Sequence, residues 1–128
     1  MMFSKGMLFV NALDSSVTCL DVIYDSMDNR LKSITVARRI PNAHSLLPLR
    51  SCVTHTNEKT YVATASEDGF VHVHDVSAQN GRSSSVKHQC SVKHDAVPIA
   101  ITSNPENFNM LATADISGTI SIWKKVKV

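Results

Sequence analysis

Alternating apolar and polar positions mark short β-strands along most of the chain. The stretch VHVHD at 71–75 alternates strictly, and comparable runs recur between clusters of turn-forming residues. No segment of about ten or more residues shows apolar residues at helical spacing together with helix-capping residues. We therefore predict an all-β protein, with strands over 7–11, 17–23, 31–37, 48–54, 60–65, 70–75, 86–90, 97–102, 109–114 and 119–124.

Two parts of the sequence repeat each other at an offset of 49 residues. VATASEDGFVHVHD at 62–75 aligns with LATADISGTISIWK at 111–124, and each copy reads as a strand, a tight turn and an alternating strand. Gly69 and Gly118 occupy the two turns, where a positive φ is expected because glycine adopts it without strain. A repeat of about 40 to 50 residues built from short strands is typical of a propeller blade.

The closing residues of both copies resemble those of the WD40-repeat family. That family ends its repeat with Ser-x-Asp-Gly, an alternating strand and Trp-Asp, and SEDGFVHVHD and SGTISIWK are similar. Its opening Gly-His dipeptide has counterparts in Ala43-His44 and Lys93-His94. The resemblance implies a partial WD40 β-propeller of about two and a half to three four-stranded antiparallel blades, not enough for a closed ring. It divides the chain into a diverged partial blade at 1–40, a WD40-like repeat at 41–91 and a C-terminal WD40 repeat at 92–128.

The resemblance also implies a buried polar tetrad in each blade. In the family, a turn Asp accepts from the Gly-His histidine, which reaches a strand Ser and then the Trp indole. Buried polar groups require partners, so such a network makes a blade rigid. In the first full repeat, His44, Ser66 and Asp68 match these positions and His74 stands in the place of Trp.

The last repeat departs from the family pattern in a different way. His94 and Trp123 match, whereas Asp115 takes the Ser place and Ser117 takes the Asp place. The donor and acceptor types are kept in exchanged positions, so we expect a rearranged network.

Two groups of histidines raise the alternative of a metal site. His72 and His74 project from one side of a strand, and His-x-His is a known ligand spacing, yet the sequence fixes no third or fourth ligand. His88, Cys90 and His94 form a second possible cluster, which an outer strand and a loop explain equally well. We predict no metal and no cofactor.

The three cysteines, Cys19, Cys52 and Cys90, are an odd number without a CxxC spacing. An odd count would leave an unpaired thiol in a secreted domain, so a reducing compartment fits better. We expect all three to be small buried apolar side chains. Nothing beside them in the sequence marks a lowered thiol pKa.

The remaining composition favours a binding role over catalysis. A net charge of +2 does not favour nucleic acid as a partner, and hydrolase and phosphate-loop motifs do not occur. No apolar run reaches membrane-spanning length, so we expect an intracellular protein of the nucleus or cytoplasm. The basic residues Lys124, Lys125 and Lys127 act either in nuclear import or phosphate contact, or against edge-to-edge aggregation.

A scaffold that binds other proteins is the leading hypothesis. Candidate contact loops lie at 55–59, 78–85 and 103–109. Too few blades for a ring leave apolar end faces, which the remaining blades of a longer chain, or further copies of this one, would cover. The alternatives are a truncated fragment without a function of its own, and a metal-binding or hydrolytic protein that uses His72 and His74.

Overall fold

The chain folds into β-strands alone within the residues that the computed structural model describes. These are 2–4 (backbone only), 6–12, 16–40, 50–56, 59–77 and 87–126. The first sheet contains β1 (Met2–Ser4), β2 (Met7–Asn11), β3 (Val17–Tyr24) and β4 (Leu31–Ile40). The second contains β5 (Ser51–His55), β6 (Thr60–Ala65), β7 (Phe70–Asp75) and β8 (Lys87–Lys93), and the third contains β9 (Pro98–Ser103), β10 (Met110–Asp115) and β11 (Ile120–Lys124).

Each sheet is an antiparallel meander in which consecutive strands pair. The all-β prediction is confirmed, and three open sheets of four, four and three strands resemble part of a propeller. The sequence predicted three strands before residue 40, whereas the first sheet has four. The additional strand, β1, pairs with β2 and is only three residues long. A strand of this length is too short to show a pattern of alternating apolar and polar residues.

The second sheet lies between the other two, and its strand β6 is covered on both faces. Every residue of β6 is buried, unlike a strand with one solvated face. Val62 packs towards the first sheet, in a cluster with Phe9 and Ile40. Ala63 packs on the opposite side, in a second cluster that includes Ile101 of the third sheet. The core therefore consists of two apolar layers rather than one.

Side-chain hydrogen bonds join β5 of the second sheet to both neighbouring sheets. β5, the first strand of the second sheet, contacts the first strand of each of the other sheets. Asn11 Nδ2 donates to Ser51 Oγ over 2.9 Å between the first and second sheets. Ser103 Oγ donates to the Val53 carbonyl over 3.1 Å between the second and third. Since β1, β5 and β9 lie together, the outer strands β4, β8 and β11 form the periphery.

The outermost faces of the stack are apolar and exposed. On the first sheet, Ile34 is 49% exposed and Val36 is 66% exposed. On the third sheet, Ile120 is 73% exposed and Ile122 is 61% exposed, and they pair with the small residues Ala114 and Ala112 of β10. The described part of the chain is thus an open stack with an apolar face at each end. None of its elements is a helix of the length and apolarity that crossing a membrane requires.

Candidate functional site

A buried polar network holds the third sheet together around Thr113. The Thr113 Oγ1 atom lies 2.7 Å from Trp123 Nε1 and 2.5 Å from His94 Nε2. His94 Nδ1 lies 3.2 Å from Asp115 Oδ2, and the Ser117 hydroxyl donates to Asp115 Oδ1 over 2.5 Å. Thr113, His94 and Asp115 are each at most 5% exposed. The structure therefore brings the four residues predicted for this repeat into one network, through a fifth residue.

The directions of these bonds follow from what each group can donate. The Trp123 indole only donates, so Thr113 Oγ1 accepts from it and we assign the Thr113 hydroxyl proton to His94 Nε2. His94 Nδ1–H then donates to Asp115, which accepts only. Hydrogen bonds, first from the Ser117 hydroxyl and then from His94 and two backbone amides, outweigh burial and lower the pKa of Asp115. The carboxylate form of Asp115 is thus the form that this fold holds.

Thr113 is the member that the sequence interpretation missed. The family pattern pointed instead to Asp115 and Ser117, which lie two and four residues further along the chain. The signal was nonetheless present, because the internal repeat aligns Thr113 with the identical Thr64 on a buried strand. Thr64 Oγ1 accepts from Ser51 Oγ over 3.3 Å, so the equivalent hydroxyl of the second sheet bonds to the innermost strand instead.

In the second sheet the polar residues are arranged differently. His44 lies outside the described residues. Asp68 Oδ1 accepts from the Phe70 amide over 2.9 Å, and Asp68 Oδ2 lies 2.9 Å from His72 Nε2. Burial alone would raise the pKa of Asp68, but bonds from His72, the Phe70 amide and Ser66 lower it. Gly69 closes this hairpin with a φ of 90°, and Gly118 closes the equivalent hairpin of the third sheet with a φ of 89°.

A hydrogen-bonded chain runs from Asp68 across β7 and β8. Since Asp68 accepts from His72 Nε2, His72 Nδ1 is left to accept from Ser91 Oγ, 2.7 Å away. Ser91 Oγ also lies 2.7 Å from His88 Nε2, which completes the chain. The ring of His88 contacts those of His72 and His74, with centroids 5.9 and 5.5 Å apart. Carboxylate, imidazole and hydroxyl thus lie in series, on an exposed surface.

These contacts occupy the ring nitrogens of His72. Among the described residues, no group of three or more His, Cys, Asp or Glu side chains is arranged to hold a metal ion. The second possible cluster is divided, because His94 is buried against Thr113 whereas Cys90 lies on the exposed strand β8. His88 and Cys90 pair with His74 and Val73 respectively, on either side of an irregularity in the β7–β8 register.

His74 is a buried histidine with an unsatisfied nitrogen. The residue is 7% exposed, and its Nδ1 atom has no hydrogen-bond partner. It aligns with Trp123 of the last repeat, whose indole finds Thr113. Burial, reinforced by His88 and His72, lowers the pKa of His74 from its ordinary 6.5 to about 4. The folded chain therefore keeps His74 neutral at pH 5, where an unfolded chain protonates it.

We expect this difference to reduce stability as the pH falls from 6.5 towards 4. The unfolded state binds a proton that the folded state excludes, which costs about 1 to 3 kcal/mol of unfolding free energy after allowance for solvent screening. Urea denaturation at pH 7, 6, 5 and 4.5 measures the loss. His74→Phe keeps an aromatic ring at this position and removes the titration, so its stability should fall less over this range. Parallel curves for the two proteins would contradict the assignment.

The cysteines differ in exposure, contrary to the expectation that all three are buried. Cys19 is buried and Cys52 is partly buried, but Cys90 is exposed because β8 is the solvated outer strand of its sheet. Burial raises the pKa of Cys19, and it raises that of Cys52 to about 12. Thiolate is the reactive form, so the three thiols should differ in rate of modification.

A thiol-modification assay should distinguish Cys90 from the other two. At pH 8, an aromatic disulfide reagent is expected to modify one thiol of the native chain rapidly and all three in denaturant. Cys90→Ser should abolish the rapid phase and reduce the number of thiols modified in denaturant from three to two. Equal rates for all three native thiols would show that β5 and β3 do not bury their cysteines as described.

Comparison with known proteins gives a distant relation. No protein-family model matches the sequence. The RbAp48-related WD40 repeat-containing protein prw1 of Schizosaccharomyces pombe is 28% identical over 121 residues, covering 94% of this chain and 26% of prw1. The chain thus spans about a quarter of the length of this relative. The crystal structure of the computationally designed Ika4 protein matches with a TM-score of 0.42 and 13% identity, over 98% of this chain and 89% of that chain.

The relation to prw1 agrees with the repeat that the sequence and the sheets both show. The two hairpins built from 62–75 and 111–124 have the same strand pairing, with Val62 opposite His74 and Leu111 opposite Trp123. The chain is a distant relative of a WD40 repeat-containing protein.

Proposed function

We propose that this chain is a non-catalytic protein–protein interaction scaffold of the WD-repeat type and forms part of a longer propeller. The observation that carries the proposal is the open stack, with an exposed apolar sheet face at each end. Large exposed apolar patches mark interaction surfaces. The relation to a WD40 repeat-containing protein supports the same role.

The finer parts of the proposal concern the repeats and the setting. We propose blades at 1–40, 41–91 and 92–128, with the tetrad-like positions acting as structural ties rather than as a reactive site. The run of repeats, taken together, resembles the C-terminal end of WD repeat-containing protein 13. This resemblance supports an intracellular setting, in the nucleus or cytoplasm. The binding partners are other proteins, or the blades and copies that cover the end faces.

The solution molar mass tests whether the open faces associate. Light scattering behind a sizing column should show species above the monomer mass, together with binding of an apolar dye. Ile122→Lys places a charge on the outer face of the third sheet and should shift the chain towards monomer with less dye bound. Met27→Lys, at a position 94% exposed in the β3–β4 turn, adds the same charge away from both faces and should change neither. A monomer whose dye binding is equal in all three proteins would contradict the proposal.

A further inference from the structure

A cavity of about 330 Å³ lies between the second and third sheets. Its apolar lining comes from both sheets and includes Tyr61, Val73, Leu111 and Trp123, with Phe108 from the β9–β10 loop. The volume falls within the range of about 300 to 1,000 Å³ that ligand pockets occupy. We name this cavity the Trp123 groove. It is large enough to bury a bulky apolar side chain of a ligand.

The charges around the Trp123 groove are of one sign. Lys124 and Lys125 line it and are exposed, whereas its described lining contains no Asp or Glu. The ion pairs of the described residues involve neither lysine. Lys125 is held in place, since its Nζ atom lies 3.4 Å from the Tyr61 hydroxyl and 5.1 Å from the centre of that ring. An apolar floor with a positive rim selects a ligand with an apolar group beside a negative charge.

The strand next to the groove favours a peptide over a small molecule. Within the described part of the chain, β11 pairs with β10 along one edge and with no strand along the other. Its free edge presents backbone donors and acceptors that an extended peptide can pair with. The groove and this edge meet at Trp123 and Lys124, which belong to both. Backbone pairing and side-chain insertion can therefore occur together.

We propose that the Trp123 groove binds an extended segment of a partner protein that carries a large apolar side chain beside an acidic residue. The apolar side chain enters between the two sheets, and its acidic neighbour pairs with Lys124 or Lys125. This inference rests on the proposed interaction role and assigns it a site and a ligand chemistry.

Selection from a random peptide library without tryptophan, displayed on phage and panned against the full chain, tests the ligand chemistry. Enriched peptides are expected to place Phe, Leu or Ile within a few positions of Asp or Glu. Trp123 is the single tryptophan of the chain, so its emission reports binding at the groove directly. Synthetic versions of the enriched peptides should change this emission saturably.

Charge reversal tests the site. The double variant Lys124→Glu/Lys125→Glu should weaken binding by about tenfold or more. Lys87→Glu/Lys93→Glu makes the same change at two exposed lysines of β8 outside the groove lining and should keep affinity within about twofold. Matching thermal unfolding of the variants and the parent chain confirms that the fold is retained.

Once peptides are enriched, three results would overturn the groove assignment. These are enriched peptides without acidic residues, unchanged Trp123 emission on binding, and equal affinity for the two double variants. Each of these results would leave the proposed interaction role intact but would assign it to another surface. Failure to enrich any peptide would also overturn the groove assignment, and the molar mass measurement would then decide the interaction role separately.

Discussion

Replacing Thr113 with valine is expected to lower the free energy of unfolding by about 2 to 4 kcal/mol. Valine has nearly the same shape but no hydroxyl, so His94 Nε2 and Trp123 Nε1 both lose their partner at one step. Each buried polar group left without a partner costs about 1 to 3 kcal/mol, and the partial exposure of Trp123 reduces its share. Urea denaturation followed by circular dichroism measures the change.

The matched control is Thr113→Ser, which keeps the hydroxyl and removes only a methyl group. It is expected to cost about 1 kcal/mol. If the valine and serine variants are equally stable, the hydroxyl does not tie the network and the third sheet is held by apolar packing alone. Trp123 emission provides a second readout, because the indole loses its acceptor only in the valine variant.

Replacing Phe9 with alanine is expected to cost about 3 to 5 kcal/mol. Phe9 is fully buried in the cluster that joins the first and second sheets, where it packs with Val17, Ile40 and Val62. Removing the ring leaves a cavity at the junction, and the sheets on either side can close it only in part. The same denaturation experiment measures the loss.

Ile34→Ala serves as the comparison, because Ile34 is an apolar residue of the same sheet but lies on its open face. Its cost should stay below about 1 kcal/mol, since roughly half of its side chain is already in water. A Phe9→Ala variant no less stable than Ile34→Ala would show that residues 1–40 are not packed as a blade on the second sheet. The two variants therefore also test the predicted division of the chain.

Sequence patterns predicted the elements whose neighbours lie close along the chain. The hairpin of β6 and β7 follows from alternation around Gly69, and the equivalent hairpin of β10 and β11 follows from alternation around Gly118. Both sides of each pairing lie within a few residues of the turn, so the pattern and the turn chemistry predict the same structure.

Features that depend on contacts between sheets were not predictable in the same way. The uniform burial of β6 reflects the position of its sheet between two others, and the exposure of Cys90 reflects the position of β8 at the periphery. Thr113 was missed for a different reason: the family pattern pointed to Asp115 and Ser117, and only the alignment with Thr64 marked Thr113 as a buried strand position. The Trp123 groove arises only where two sheets meet, and no single stretch of sequence encodes it.

The burial of β6 on both faces also determines how the molecule exchanges amide protons with solvent. The amides of β6 are shielded by paired strands on either side and by a sheet above and below. Water can reach them only when the whole stack comes apart, so their exchange rates measure global unfolding. Exposed strands such as β4 and β11 open locally and exchange sooner. Exchange should therefore proceed inward from the two ends of the stack.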